Sequence, residues 1–123
     1  MSYDESNIFA KILRGEIPCD KVMETEHSLA FNDINPIRPV HTLVIPKGPY
    51  IDATHFAENA SDAELADFIR TVGLVAKARG ISDSGFRLLS NNGEHGHQEV
   101  PHLHVHVLGG APAGPMLKKL DKL

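Results

Sequence analysis

The sequence lacks tryptophan, has a single cysteine and contains no apolar run long enough to cross a membrane. One cysteine, Cys19, can form neither an intramolecular disulfide nor a Cys-based zinc site, and it suits a reducing compartment. The longest apolar stretch, around residues 43–45, has the length of a strand rather than the roughly 20 residues of a transmembrane helix. A signal peptide's basic and apolar regions are also missing at the N-terminus, so we expect a cytoplasmic protein with no membrane partner.

The chain has no excess of basic residues: 16 acidic side chains outnumber 12 basic ones, which gives a formal charge of -4. Binding to a nucleic-acid backbone needs a concentrated basic surface, so we expect no nucleic-acid partner. The 123 residues suffice for one domain, which we place at 1–123 with a core of about 7–110 and a C-terminal tail, 111–123. Histidine is what the chain has in abundance: eight residues, five of them within residues 95–106.

Two helices are predicted from capping residues and apolar periodicity. Ser6 or Asn7 caps the first helix, and Gly15 ends it. Ser61 and Glu64 form a capping box for the second helix, which ends near residues 79–80. The apolar stripe of this second helix consists of Leu65, Phe68, Ile69, Val72, Val75 and Ala76.

Five strands are predicted from β-branched and alternating segments. Residues 21–25 and 28–31 form a hairpin. Residues 41–45, 86–90 and 102–108 supply the other strands. Since a hairpin precedes the long helix and further strands follow it, the pattern favours an α+β fold with a mainly antiparallel sheet of about five strands and two helices.

The predicted strand 102–108 alternates histidine with apolar residues. Side chains on a strand alternate between its two faces, so the apolar residues face the core and His102, His104 and His106 form a row on the other face. Residues two apart lie roughly 6.5–7 Å from each other, so the three imidazoles can converge on one small group. Their mutual repulsion predicts that at least two are neutral near pH 7, and neutral imidazole is the form that attacks or binds metal.

Three interpretations of the histidine row remain open from the residues alone. The row could be a solvated polar face of the sheet. It could bind zinc, with His41 or Glu99 completing the site. It could also perform nucleophilic catalysis on phosphorus, with His104 attacking and its neighbours handling protons and the developing negative charge. The polar, glycine-containing loop 91–100 favours the third interpretation, because such loops can turn backbone N–H groups toward a phosphate.

The segment from His102 to Leu108 matches the signature His-φ-His-φ-His-φ-φ, in which φ is apolar, and in this it resembles the histidine triad (HIT) family. Residues 8–12, 16–18, 30–34 and 39–47 are similar to the Hint branch, so the resemblance covers about residues 7–110. It implies a HIT-like fold, a purine nucleotide as small-molecule partner and a homodimer across which the sheet extends. We expect no metal and no other cofactor, because the histidine row and loop N–H groups can supply the electrostatics.

The resemblance also implies roles for four histidines. His104 matches the nucleophile, which forms a covalent nucleotidyl-histidine intermediate at the α-phosphorus. His102 matches the residue that orders the nucleophile's surroundings, and His41 matches a histidine that supports that arrangement. His106 matches the third residue of the triad, which contacts the phosphate and helps with proton transfer.

A nucleotide pocket follows from the same resemblance. Asp33 matches the carboxylate that accepts hydrogen bonds from the ribose hydroxyls, although an Asx turn would also explain an aspartate there. Asn91 and Gln98 match polar positions beside the phosphate. The residues matching the apolar slot for the purine, which would otherwise count simply as core, are Ile8, Phe9, Ile12, Ile17, Phe31, Ile34 and Leu43.

The sequence departs from the Hint pattern at four places. Glu99 stands where these enzymes often have a serine that donates to the leaving group, and a carboxylate there would repel a phosphate. His97 replaces a usual glycine, residues 47–50 differ from the usual basic segment, and the tail 111–123 lacks the tryptophan-containing ending of eukaryotic Hint proteins.

The resemblance implies a hydrolase that acts on nucleoside 5′-phosphoramidates or related adenylates such as acyl-AMP. Three alternatives stay open. The first is a dinucleoside polyphosphate hydrolase of the same family, and the second is a non-catalytic nucleotide-binding protein. The third is a zinc protein that uses His102, His104 and His41.

Overall fold

A computed structural model describes residues 2–123 as three helices and one five-stranded sheet. The elements, in chain order, are α1 (Ile8–Leu13), β1 (Asp20–Glu24), β2 (Ser28–Asn32), β3 (Val40–Pro46), α2 (Ala53–Asn59), α3 (Asp62–Ala78), β4 (Arg87–Leu89) and β5 (Val105–Gly109). Every strand pair is antiparallel and the order across the sheet is β1-β2-β3-β5-β4. The predicted α+β fold is therefore confirmed. None of the helices described here has the length and apolar character needed to cross a bilayer.

Helix α2 is absent from the sequence-based prediction, which had two helices instead of three. Asp52 caps this helix by accepting a hydrogen bond from the backbone N–H of His55 at 2.9 Å. Only Phe56 is buried among its seven residues. A helix this short with one buried side chain has no apolar stripe that could be recognised in the sequence.

Strand β5 begins at Val105, so the prediction of a strand starting at His102 is wrong. The paired part of β5 runs from Val105 opposite Val44 to Gly109 opposite Val40. Beyond that pairing lies Pro46 of β3, which has no N–H to donate. The N–H of Leu103 instead donates to the carbonyl of Tyr50 at 2.8 Å. Residues 102–104 therefore precede the ladder, although their side chains still alternate.

The predicted capping box of α3 is confirmed. The Ser61 hydroxyl accepts from the N–H of Glu64, while the Glu64 carboxylate accepts from the N–H of Ser61. The predicted apolar stripe needs one correction, because Ile69 is 65% exposed whereas Phe68 and Val72 are buried. Ile69 lies at the rim of the stripe, which in the structure is completed by the buried Thr71.

Each face of the sheet packs against a different set of helical residues. The core between the sheet and α2 and α3 contains Ala30, Val44, Phe56, Phe68, Val72, Val75, Ala76, Ile81, Leu103 and Val107. The second, smaller core lies on the α1 face and contains Phe9, Leu29, Phe31, Leu43 and Ile45. Since Leu43 pairs with His106 across β3 and β5, the histidines belong to the α1 face of the sheet.

Candidate active site

The register of β3 and β5 brings His41 and His106 together. Leu43 lies opposite His106, and His41 lies opposite Leu108, so the two histidines are diagonal neighbours on one face. Their Nε2 and Nδ1 atoms are 2.9 Å apart. The register thus places His41 against His106, and its supporting role stays a prediction.

Hydrogen bonds define the tautomers of this pair. The backbone N–H of Ile37 donates to Nδ1 of His41 at 3.2 Å, so a neutral His41 carries its hydrogen on Nε2. That Nε2–H is directed at Nδ1 of His106 and also lies 3.5 Å from a carboxylate oxygen of Asp33. Nδ1 of His106 is therefore an acceptor, which leaves Nε2–H as the remaining donor of that ring.

His104 has the tautomer that a nucleophile needs. Its Nδ1 lies 2.8 Å from the backbone carbonyl of His102. Because a carbonyl can only accept, Nδ1 carries the hydrogen and Nε2 of a neutral His104 keeps a free lone pair. The side chain is 6% exposed and packs edge-on against Phe9 and against His106, with ring centroids 5.0 and 5.1 Å apart.

His102 stands apart from the other histidines, so the expected convergence of all three is wrong. Its side chain is 0% exposed, its Nε2–H donates to the carbonyl of Pro46 at 2.9 Å, and its Nδ1 accepts from the hydroxyl of Tyr3 at 2.6 Å. Both nitrogens are thereby occupied. The solvated-face interpretation is also excluded, because His102, His104 and His41 are all buried.

Burial lowers the pKa of all four histidines below the usual value of 6.5. Desolvation brings the pKa of His102 to about 4. Desolvation, helped by the neighbouring His104 and His41, also brings the pKa of His106 to about 4. Desolvation lowers the pKa of His104 and of His41 as well, against the opposing charge of Asp33. The site is therefore built to hold neutral imidazoles at pH 7.

Two adjoining cavities lie on this face. The first, the histidine cavity, has a volume of about 370 Å³ and is lined by Phe9, Asp33, Ile37, His41, Leu43, Leu89, Asn91, His97, Glu99, Val100, His104, His106 and Leu108. The second, the apolar cavity, has a volume of about 220 Å³ and is lined by Ile8, Phe9, Ile12, Ile17, Pro18, Cys19, Phe31, Asn32, Asp33, Ile34, Leu43 and Val100. Shared lining residues, Asp33 among them, join the two into one cleft.

Most of the residues predicted for the site line this cleft. All seven apolar residues predicted for the base slot line the apolar cavity, even Ile34, which is 85% exposed. Asp33 lines both cavities, and one of its carboxylate oxygens also accepts from the N–H of Asn35 at 2.8 Å. The Asx turn and the position in the cleft thus coexist at Asp33.

Gln98 does not line the cleft, contrary to its predicted position beside the phosphate. Its amide group donates to the carbonyls of Ile51 at 2.7 Å and Val100 at 3.0 Å, and it accepts from the N–H of Gly93 at 2.9 Å. These three bonds tie the loop 91–100 together. The structure therefore places Asn91 and Glu99 in the histidine cavity, with Gln98 supporting their loop.

Several residues of the site were not predicted. Ile37, Leu89, Val100 and Leu108 line the histidine cavity, but apolar residues of this kind carry no sequence signal that separates them from the core. His97, at the position of a usual glycine, has a positive φ of 58° and an exposed side chain 3.7 Å from the Glu99 carboxylate. Its left-handed backbone is the conformation that favours glycine.

The metal ligands considered from the sequence are not gathered in the structure. Both nitrogens of His102 are committed to hydrogen bonds, and the groups that do lie together are those of Asp33, His41 and His106, within 4.8 Å of one another. The facing nitrogens of this His pair already share one hydrogen bond. A metal ion would have to displace that bond, so these residues fit a hydrogen-bonded relay better than a metal centre.

A larger cavity of about 500 Å³ lies elsewhere, between β4 and the tail. Its charged lining residue is Arg87, whose guanidinium donates to the carbonyls of Gly114 and Pro115. By volume alone, this cavity would be the candidate active site. The histidine cleft is the better candidate, because titratable groups cluster in it.

Comparison with known proteins agrees with this geometry. The HIT domain profile matches residues 14–113. An uncharacterized HIT-like protein of Azospirillum brasilense is 58% identical over 118 residues, which is 96% of this chain and 97% of that protein. The purine nucleoside phosphoramidase of Escherichia coli K12 is 42% identical over 113 residues, 92% of this chain and 94% of that protein.

Solved structures show the same fold. The HIT family hydrolase from Clostridium thermocellum superposes with a TM-score of 0.83 at 39% identity, covering 94% of this chain and 99% of that one. The histidine triad protein from Clostridium difficile gives a TM-score of 0.81 at 38% identity, with 94% and 100% covered. The histidine cleft, the profile match and these relatives together place the chain in the HIT family, in its Hint-like branch.

Proposed function

We propose that this protein is a nucleotide hydrolase that cleaves purine nucleoside 5′-phosphoramidates or related adenylates such as acyl-AMP. The tautomer of His104 is the main support for this proposal. His104 lines the histidine cavity, and its Nε2 has a free lone pair. The phosphoramidase relative and the HIT family hydrolases of known structure support the reaction class. Their similarity covers most of this chain.

The two cavities suit the parts of a nucleotide. The apolar cavity, lined by Phe31 and isoleucine side chains, suits a purine ring. Asp33 at the junction offers a carboxylate oxygen to the ribose hydroxyls, and the α-phosphate then lies in the histidine cavity beside His104 and His106. The loop 91–100, which contributes Asn91 to the lining of this cavity, offers a side-chain amide and backbone N–H groups as donors to the phosphate.

The reaction proceeds in two displacements. The Nε2 lone pair of His104 attacks the α-phosphorus, an Nε2–P bond forms, and the P–N bond to the leaving amine breaks while that amine takes up a proton. His106, whose Nε2–H is free to donate, is the proposed source of the hydrogen bond that stabilises the phosphoryl oxygens, and solvent water supplies the proton that the amine takes up. In the second displacement a water oxygen bonds to the phosphorus, the Nε2–P bond breaks with its electron pair returning to Nε2, and the water's proton passes to solvent, which releases the nucleoside monophosphate and regenerates neutral His104.

Charge in the cleft favours this substrate class over dinucleoside polyphosphates. Asp33 and Glu99 are the charged residues among those that line the two cavities, and no lysine or arginine is found in that set. A dinucleoside polyphosphate carries additional negative phosphates beyond the α-phosphate. These would meet the Glu99 carboxylate without a compensating cation, whereas an amine leaving group adds no negative charge.

We also propose a homodimer that joins two sheets. Strand β4 is an edge of the sheet, and two apolar residues beside this edge, Phe86 and Leu88, are exposed. A second copy would cover them and pair the strand edge. Sedimentation equilibrium is expected to give the mass of two chains, and a mass of one chain across the micromolar range would contradict the proposal.

A substrate panel tests the reaction class and the role of Glu99. We expect wild-type kcat/KM for adenosine 5′-phosphoramidate and an acyl-adenylate to exceed that for diadenosine polyphosphates by at least about tenfold. Glu99→Gln removes the repulsion and should raise kcat/KM for the dinucleotides by roughly two- to fivefold. The effect is this small because the Glu99 carboxylate is largely exposed and solvent screens its charge. Glu94→Gln is the matched control, since Glu94 is exposed in the same loop but does not line the cleft.

Each alternative gives a different result in this panel. Faster cleavage of the dinucleotides would identify a dinucleoside polyphosphate hydrolase. Binding of adenosine monophosphate without turnover of any substrate would identify a non-catalytic binding protein. Either result would overturn the proposed function.

A further inference from the structure

Tyr3 contacts His102 although it precedes residues 14–113, the segment matched by the HIT domain profile. Its hydroxyl lies 2.6 Å from Nδ1 of His102. The two rings also pack edge to face, with centroids 5.6 Å apart and an interplanar angle of 70°. Tyr3 is half-buried, whereas its neighbours Ser2 and Asp4 are exposed.

The direction of this hydrogen bond follows from the other side of the His102 ring. Nε2 of His102 lies 2.9 Å from the carbonyl oxygen of Pro46, which can only accept. The hydrogen of a neutral His102 is therefore on Nε2, so Nδ1 must accept and the hydroxyl of Tyr3 must donate. Among the described residues, Tyr3 supplies the one hydrogen bond recorded at this buried nitrogen.

His102 connects Tyr3 to the nucleophile. Its ring is held on one side by Tyr3 and on the other by the last residue of β3, Pro46. Its backbone carbonyl accepts the hydrogen bond from Nδ1 of His104 at 2.8 Å. Residues 102–104 precede the paired part of β5, so bonds outside that ladder hold this segment: the N–H of Leu103 donates to the carbonyl of Tyr50, and the two bonds of the His102 ring fix the residue whose carbonyl holds His104.

The N-terminal turn holds Tyr3 in place. The carbonyl of Asp4 accepts from the backbone N–H of Asn7 at 3.2 Å and from its side-chain amide at 2.7 Å. Asn7 in turn caps α1 by accepting from the N–H of Ala10 at 2.9 Å. The same helix carries Phe9, which packs against both His102 and His104. The residue after Tyr3 is thus connected by local hydrogen bonds to the helix that forms one wall of the cleft.

We propose that Tyr3 is a positioning residue for the nucleophile, acting through His102 on the orientation and tautomer of His104. The inference rests on the proposed function, because it assigns a role in that reaction. Without the hydroxyl, Nδ1 of His102 is a buried acceptor with no partner, and its ring can rotate or change tautomer. The His102 carbonyl then no longer holds Nδ1–H of His104 in one place, so the Nε2 lone pair is misdirected for part of the time.

The test compares the two tyrosines of the chain. Tyr3→Phe keeps the ring and removes the hydroxyl. Tyr50→Phe is the matched control, because the Tyr50 hydroxyl also donates one hydrogen bond, to Glu64 at 2.7 Å, but lies outside the residues that line the cleft. We measure kcat and KM for adenosine 5′-phosphoramidate, the Kd of adenosine monophosphate, and the folded fraction by circular dichroism.

We expect Tyr3→Phe to lower kcat by roughly three- to a hundredfold with the Kd of adenosine monophosphate unchanged within about twofold, and Tyr50→Phe to leave kcat at the wild-type value. Equal kcat in both variants, or a loss in Tyr3→Phe that matches its loss of folded protein, would overturn the inference. No phosphoramidate turnover by the wild-type enzyme would instead overturn the proposed function on which it rests.

Discussion

Replacing His104 with alanine should abolish turnover and leave nucleotide affinity largely intact. In the proposed reaction the imidazole of His104 supplies the attacking Nε2, and the buried neighbours do not offer a second such lone pair, since Nδ1 of His106 accepts from His41 and Nδ1 of His41 accepts from Ile37. We expect kcat for adenosine 5′-phosphoramidate to fall by at least about 10⁴-fold, the scale seen when a nucleophile is removed. The Kd of adenosine monophosphate, measured by calorimetry, should change by less than about fivefold, because the apolar cavity and Asp33 remain.

His95→Ala is the matched control for this variant. His95 is exposed in the loop before the catalytic segment and does not line the cleft. Its removal should leave kcat unchanged. A His104→Ala enzyme that turned over the phosphoramidate at the wild-type rate would show that another group attacks the phosphorus.

The second large effect is a loss of stability in mild acid. His102 and His106 each have a folded-state pKa of about 4, below the ordinary value of 6.5. The unfolded chain therefore binds protons on these residues below about pH 6.5, while the folded protein binds them only near pH 4. The contribution of these histidines to stability is complete above pH 6.5 and is lost as the pH falls toward 4.

The expected size is roughly 3 kcal/mol for each histidine across this interval, which sums to several kcal/mol, a large part of the stability of a typical domain. Urea unfolding at intervals from pH 7.5 to pH 4.5 measures it. Acidic groups held in ion pairs change the stability at lower pH. The ammonium groups of Lys21 and Lys47, for example, bring the pKa of Glu24 to about 2. We therefore attribute the expected decrease in the free energy of unfolding between pH 6.5 and 4.5 to the buried histidines.

His95→Gln again serves as the control, and its free energy of unfolding should follow the wild-type pH dependence. A His106→Gln variant should show a shallower dependence, because one of the two histidines whose pKa falls to about 4 is gone. A wild-type free energy of unfolding that stayed constant between pH 6.5 and 4.5 would contradict the assignment of buried neutral histidines.

The sequence predicts the sheet and the long helix because their signals are local. Ser61 and Glu64 are three residues apart, and the alternation around Val105 is visible within one strand. Helix α2 escapes prediction because only Phe56 is buried in it. The start of β5 escapes prediction because it depends on where β3 ends, at Pro46, far away in the sequence.

The site divides in the same way. The residues that line the apolar cavity could be named from the resemblance, as could His41 and His106 individually. The contact between these two histidines was not predicted and follows from the register of β3 and β5. The isolated position of His102 could not be predicted, because it depends on contacts with Tyr3 and Pro46, both distant in sequence. The side chain of Gln98 likewise bonds to backbone groups of Gly93 and Ile51 instead of lining the cleft. These bonds depend on the folded backbone, so they could not be predicted from the sequence.

In the proposed reaction, Nε2 of His104 becomes covalently bonded to the α-phosphorus. The most direct measurement is intact-protein mass spectrometry of a reaction quenched within its first turnover, followed by peptide mapping under conditions that preserve phosphorus–nitrogen bonds. The account predicts one added nucleotidyl group, located on His104 and absent from His104→Ala. A nucleotidyl group on any other residue, or steady turnover with no adduct at any rapid-quench time, would contradict it.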